Sequence, residues 1–557
     1  MRGISGFDRH HAKIIIGALL TVKVVILFLL AWNRRIIMDE FAQLGWAKYL
    51  GHELFDTIWP SKAVGFTVFI KLAHLIGWDA PSILLAGRMQ TALLACATLG
   101  VVHACARSLG QSKVRSLLTL LVLLSFSNFI ERIFETRAEP LAVFFGAAAL
   151  LAAVSGKTNR WRILACGALS GLAFLSTQKA IYFNVAVGVA LVSDAAFARH
   201  YAVGLRRGAW LVLGWLLPVA GYCLVFGGGE ALAVARNLYF GPLRVASSET
   251  AAVYGGLRGY VAQTLLQNTL LYAFCVGGMI SASIGFRELN SRTRIALVFT
   301  CIVTVLVFAH NQPWPYVFVM ALPFISLWAL GPLDALKGQP LYRSAAYAIL
   351  AIGIAVSFVR NATALQIGNS DQLALVARAE RLTGPNDVYF DGVGMLPNRP
   401  EPSTVWLDRY TVLQTLREGN GSEAYRSLRR TPPKVILWSY RLDAIRPVIA
   451  PLVRHSYVRV APNTWIAGRR LTVDQPAKFN VPVPGVYQLY GPSGEAVAGG
   501  LEVDGQQLRT AINFSRGART IVLRSGPSTA FLLPQGSYLG LIDTGKDNDE
   551  LFEGVYD

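Results

Sequence analysis

The chain has 557 residues, 53% of them hydrophobic and only 15% charged, which excludes an ordinary soluble enzyme and reads as a polytopic membrane protein. Its net charge of +19 does not point to nucleic acid, because the Lys and Arg excess is dispersed in short loops between apolar runs rather than gathered in one patch. The six cysteines (Cys96, Cys105, Cys166, Cys223, Cys275 and Cys301) lie in or beside apolar runs, with no disulfide framework or zinc spacing.

At the N-terminus Arg2, Arg9 and Lys13 precede an apolar stretch reaching Trp32, and no small-residue cleavage site follows before Arg34. This reads as a retained first span rather than a signal peptide. Ten further spans are expected at about 81–106, 114–131, 138–155, 161–177, 180–198, 208–226, 259–286, 295–310, 316–333 and 344–360, making eleven with the first at 13–33. Each is near the ~20 residues needed to cross a bilayer. The basic loops Arg107/Lys113/Arg115, Lys157/Arg160/Arg162, Arg199/Arg206/Arg207, Arg287/Arg292/Arg294 and Lys337/Arg343 then share the cytoplasmic side with the N-terminus. Arg34-Arg35 is the exception. This parity requires that the apolar segment Ala63-Trp78 not cross. Its Thr67, Lys71 and His74 recur at i, i+4 and i+7, a polar stripe suited to the interface plane.

With that topology the unexpected polar groups fall on the non-cytoplasmic face. Asp39, Glu40 and Lys62 lie in the first outer loop and Glu131 to Pro140 form the second. Gln178 and Lys179 sit at the next outer turn, Arg236, Asn237 and Tyr239 in the loop 227–258, and His310, Asn311, Trp314 and Tyr316 in the last. Ionisable groups at membrane depth are costly and are usually functional or mutually paired. Interfacial anchoring accounts for Trp314 and Tyr316, but poorly for Glu135, Arg137, Glu139 and Lys179. For Asp39 and Glu40, helix capping competes on equal terms with a chemical role.

After Arg360 the apolar runs shorten and charges and prolines rise. A helix at Asp371-Leu382, strands at Val388-Phe390, Lys434-Trp438 and Tyr457-Val460, and helices at 408–417, 421–430 and 442–454 predict a small α/β domain over 361–470. From 471 to 557 short alternating strands with turn signals, including Asp504-Gly505, predict a β-sandwich-like domain, with carbohydrate binding and a structural cap as equal readings. An outer region this long without cysteine fits a bacterial periplasm. The expected setting is therefore a multi-pass protein of the bacterial inner membrane, with its site and C-terminal domains on the periplasmic side.

Met38-Asp39-Glu40 after the first span resembles the acidic motif of GT-C glycosyltransferases that use polyprenyl-phosphate sugars, a group including protein O-mannosyltransferases and lipid A aminoarabinose transferases. Pro60-Ser61-Lys62-Ala63-Val64 is similar to their Lys-Pro-Pro-Leu stretch without its two prolines, and Arg88 matches an Arg usual early in the second span. Arg137-Ala138-Glu139-Pro140 resembles their Arg-Thr-Asp-Met/Leu motif with Glu in place of Asp, and the stretch Gly171 to Lys179 looks like a family segment ending in Lys. The resemblance covers about residues 13–470. It implies a GT-C module over 1–360, of about eleven transmembrane helices plus juxtamembrane helices, moving a sugar from a lipid phosphate to an acceptor hydroxyl.

Such a transfer needs a carboxylate to take the hydroxyl proton on the ring face opposite the leaving group, giving inversion. Asp39 is the candidate base. Cations must await the departing phosphate, and Lys62, Arg137 and Lys179, with Arg88, Arg236 and His310, are the candidates. Glu40 and Glu139 are open to orienting these cations, positioning the acceptor or holding a divalent metal, with Tyr316 a further orienting residue. No other cofactor is called for. The expected partners are a polyprenyl-phosphate-linked sugar, a glycan, lipid or protein acceptor, and the bilayer. A lipid-linked glycan polymerase or ligase would use the same chemistry on an oligosaccharide donor. A transporter or flippase would place its charges near the midplane on broken helices within internal repeats, and the sequence shows no inverted repeat.

Overall fold

The structure, a computed structural model, describes residues 7–51, 55, 63–156, 159–247, 257–402, 406–508, 511–537, 540, 542–543 and 545–552. Helices occupy the first two thirds: α1 (Phe7–Asn33), α2 (Met38–Ala47), α3 (Gly65–Ile76), α4 (Ala80–Ser108), α5 (Lys113–Leu123), α6 (Ser127–Ile130), α7 (Ala138–Val154), α8 (Arg160–Ser176), α9 (Ile181–Phe197) and α10 (Tyr201–Gly227), with more through Pro340–Ala364. Among the described residues six helices are long and apolar enough to cross a membrane, and seven if Gly259–Gln267 and Thr269–Ile284 count as one bent span. Shorter apolar helices include α3 and α7.

Each expected span overlaps a helix or a broken helix, but the six or seven long enough to cross fall short of the eleven expected, and three are broken, with 114–131 divided into α5 and α6. The segment expected as one span at 259–286 turns by 90° at Asn268. There the Asn268 side chain accepts the Ser127 N–H at 3.0 Å and donates to Ser127 Oγ and the Thr264 carbonyl, so polar groups at the bend are satisfied inside the protein, as a membrane interior demands. The stretch 316–333 divides into a 3-10 turn, Pro315–Met320, and the short helices Leu322–Ser326 and Gly331–Ala335.

Contacts divide the chain into two compact units, one of Met1–Arg34, Leu50–Leu72 and Leu85–Gly368, the other of Arg35–Tyr49, Ala73–Leu84 and Asn369–Asp557. In the first, α8 and α10 approach so closely that a Cβ on Gly214 would meet the Leu164 carbonyl oxygen at 2.1 Å, and one on Gly167 the Leu211 oxygen at 2.1 Å. Small residues permit such backbone contact between membrane helices. The buried Asp194 ties α9 to its neighbours, accepting from Arg207 at 3.2 Å, Arg294 at 3.0 Å and Ser291 at 2.6 Å. Within α1 the fully buried Lys23 donates to Ser357 Oγ at 2.7 Å and Asn361 Oδ1 at 2.6 Å on the helix Pro340–Ala364, and lies over the Phe358 ring.

The second unit contains α2 and the C-terminal region. Glu40 reaches back to accept the Ile37 N–H at 3.1 Å, starting α2. Gln372, in the helix Ser370–Leu382, pairs both backbone groups of Ile36, at 2.7 and 2.9 Å. A four-stranded sheet follows, in the order β1 (Tyr389–Phe390), β2 (Val435–Leu437), β4 (Thr464–Ala467), β3 (Tyr457–Ala461), with β1 and β2 parallel and the other pairs antiparallel. Sequence reading anticipated three of these strands. It missed β4, which follows β3 after a tight turn in which Asn463 has φ +56°.

The last region carries two four-stranded antiparallel sheets, β10-β7-β12-β5 and β6-β11-β8-β9. Their strands are β5 (Arg469–Thr472), β6 (Ala477–Val481), β7 (Gly485–Tyr490), β8 (Gly500–Val503), β9 (Gln506–Leu508), β10 (Ala511–Phe514), β11 (Gly517–Ser525) and β12 (Thr529–Pro534). Alternate residues of both sheets, among them Phe479, Tyr487, Leu501, Ile521 and Leu532, share one core. Asp504 and Gly505, both at positive φ, make the two-residue turn between β8 and β9.

Candidate functional site

The first unit gathers four of the residues singled out from sequence. Arg137 is the N-cap of α7 and Glu139 lies in its first turn, where the helix dipole favours a carboxylate. Lys179 belongs to the 3-10 turn Gln178–Ala180 that joins α8 to α9, and Tyr316 to the 3-10 segment after the helix Ser291–Phe308. One oxygen of Glu139 accepts from Lys179 Nζ at 2.7 Å, and the other from Arg137 Nε at 3.3 Å. The Arg137 guanidinium stacks 3.2 Å from the centroid of the Tyr316 ring, and Lys179 Nζ sits 4.8 Å from the same centroid.

Arg137, Glu139 and Tyr316 are buried, whereas the Lys179 side chain keeps 27% of its surface. Two cations thus share one carboxylate and one aromatic face, and Lys179 is the least buried of the four. His310 lies within electrostatic reach of Lys179 and Glu139. Its Nδ1 is 2.8 Å from the Tyr182 hydroxyl. Trp314 stacks on Tyr316 with ring planes 10° apart, and Asn128 holds the Pro315 carbonyl at 3.2 Å, its own oxygen accepting from Thr264 at 2.6 Å.

Other predicted residues lie elsewhere. Arg88, fully buried, donates to the backbone carbonyls of Arg34 and Ala31 at the end of α1 and faces the Phe134 ring at 5.5 Å. Nearby charges form separate pairs, Arg34 with Glu131 at 2.5 Å and Arg132 with Glu135 at 2.8 Å. Arg236 is exposed on the helix Ala231–Ser247. Lys62 lies outside the described residues.

Asp39 and Glu40 are on α2 in the second unit. Glu40 is buried and performs the capping, while Asp39 is half-buried one position earlier and within electrostatic reach of Tyr440. The capping role and the candidate chemical role therefore fall on different carboxylates. Among the described residues no group of three or more His, Cys, Asp or Glu is placed to hold a metal ion. Sequence reasoning passed over Tyr182 and Asn128. Tyr182 follows Lys179 by three residues, a local signal, but Asn128 meets Pro315 and Thr264 only through the fold.

Two family models match the C-terminal region, the domain of unknown function DUF7056 at residues 413–466 and the domain of unknown function DUF7055 at 469–534. Among curated proteins none matches. Solved structures do. ArnT from Cupriavidus metallidurans bound to undecaprenyl phosphate is similar at a TM-score of 0.58 and 14% identity, covering 81% of this chain and 97% of that one. Its apo state gives 0.55 and 14%, over 82% and 98%. The archaeal oligosaccharyltransferase AglB from Archaeoglobus fulgidus, in complex with an inhibitory peptide and a dolichol-phosphate, gives 0.51 and 12%, over 88% and 74%. The chain, with its apolar helices followed by a β-rich C-terminal region, shares the fold of these solved structures.

Proposed function

We propose that this protein transfers a single sugar from a polyprenyl-phosphate donor to an acceptor hydroxyl at the extracytoplasmic face of a bacterial inner membrane. The observation that carries the reading is the Arg137–Glu139–Lys179 group against Tyr316. It is a fixed cationic face at the ends of apolar helices, suited to a lipid phosphate whose charge grows as the sugar leaves. Sharing a fold with a protein solved with undecaprenyl phosphate supports this class of donor.

In this reading Arg137 and Lys179 grip the phosphate, with Lys62 as a further cationic contributor and His310 beside Lys179. Glu139 and Tyr316 orient the two principal cations. Asp39 removes the acceptor proton as the acceptor oxygen attacks the anomeric carbon. The bond from that carbon to the phosphate oxygen breaks, and polyprenyl phosphate departs with inversion. Glu40, whose carboxylate is engaged at Ile37, supports Asp39 by fixing the start of α2. The α/β domain (361–470) and the β-sandwich-like domain (471–557) lie on the same outer side.

The test is to supply purified protein with radiolabelled single-sugar polyprenyl phosphate and an extract of the host envelope as acceptor, and to identify co-purified lipid by mass spectrometry. Label moving from the monophosphate donor to the extract is the expected result. Transfer only from a lipid-linked oligosaccharide would establish a polymerase or ligase instead, and transfer from neither donor refutes the reading.

A further inference from the structure

Far from the Arg137 group, α9 and α10 leave an open groove of about 780 Å³ beside the loop that joins them. Its walls are apolar. Val192 and Ala196 on α9 face Leu205, Val212 and Leu216 on α10, and Gly204 and Gly208 form the floor. Gly208 has open space where a Cβ would stand, so the groove exists partly because α10 carries no side chain there. From Tyr201 to Leu216 it follows α10 for sixteen residues, or about 22 Å at the usual helical rise. That matches half of a bilayer whose full thickness with headgroups is roughly 40–45 Å. The volume and length suit the acyl chains of one leaflet.

The mouth of the groove is strongly basic. Arg199 is exposed in the α9–α10 loop and Arg206 in the second turn of α10. The adjoining segment, brought close by the Phe197–Phe286 ring contact, adds exposed Arg287 and Arg292 against one exposed carboxylate, Glu288. Asp194 adds no free negative charge, because Arg207 and Arg294 hold it. We propose that this groove binds an anionic glycerophospholipid of the phosphatidylglycerol type. Its acyl chains lie along α10 and its phosphate meets Arg199 and Arg206. Basic pockets between membrane helices recognise anionic headgroups in this way. A zwitterionic lipid would fill the same apolar walls but bring its own cation to a mouth already rich in arginine. The proposal does not depend on the transferase reading.

The test is native mass spectrometry of the full-length protein in detergent, titrated with phosphatidylglycerol, phosphatidylcholine and undecaprenyl phosphate in competition. The wild type should retain phosphatidylglycerol in preference to both others. Arg199→Gln and Arg206→Gln should each lower that retention roughly 5-fold, the effect of removing one surface arginine near a phosphate. Gly208→Leu, placed in open space, should displace phosphatidylglycerol and phosphatidylcholine alike while leaving the thermal midpoint near that of the wild type. Equal retention of the two phospholipids, preference for undecaprenyl phosphate, or retention unchanged in both arginine variants would overturn the proposal.

Discussion

Removing Arg137 and removing Glu139 should have opposite signatures, and the geometry says why. If Arg137 becomes Ala, Glu139 still holds Lys179 at 2.7 Å, so no buried carboxylate is stranded. What disappears includes a long 3.3 Å hydrogen bond and a ring contact, together about 2–3 kcal/mol, given about 1 for such a bond and up to about 2 for a desolvated cation–π pair. If Glu139 becomes Ala, two cations lose their common counter-charge, and breaking a buried pair from one side costs roughly 3–5 kcal/mol. Donor binding should rank the other way. A charge-assisted bond to phosphate is worth about 1.5–3 kcal/mol, so Arg137→Ala should weaken affinity for undecaprenyl phosphate roughly 10- to 100-fold. Melting curves of both variants in the same detergent, with the dissociation constant of the lipid measured for each folded protein, test the pair. The reasoning is refuted if Arg137→Ala melts as low as Glu139→Ala while binding lipid like the wild type.

Asp39→Asn keeps the shape of the side chain but cannot accept the acceptor's proton, so transfer should fall by ~10²–10⁴ with folding and donor binding intact; near-normal transfer would leave Glu40 or Glu139 as the base. Glu40→Ala should instead show in the melting curve, losing about 1 kcal/mol with the bond to Ile37. Gly214→Val puts branched carbon where the Leu164 carbonyl already stands 2.1 Å from a Cβ position, so little folded protein should be recovered; a wild-type yield and melting midpoint would show that α8 and α10 can separate at no cost. A cysteine at Ser528 should react with an impermeant maleimide in intact spheroplasts. If it is protected there and labelled only after lysis, the proposed outer placement of the C-terminal domains falls.

Much of the architecture was legible before any coordinates because long apolar runs and period-two alternation are local properties of the chain. The first span coincides with α1, and the alternation after residue 471 with eight short strands. Arg137 and Glu139 could be read together because they are two residues apart at the head of one helix. Tertiary structure alone decided where the remaining charges find partners. Nothing near Lys23 in sequence marks it, since one lysine is lost within an apolar run; its partners Ser357 and Asn361 lie more than 330 residues away, and a charge buried in a membrane helix must find such partners wherever the fold supplies them. The bend at Asn268 was hidden for the same reason, because the groups that satisfy it come from Ser127 as well as from its own turn. Sequence made Asp39 the candidate base but left helix capping open for Asp39 and Glu40 alike. Only the fold showed which of them makes the capping bond, because that depends on which oxygen can reach the Ile37 N–H, and it is Glu40's.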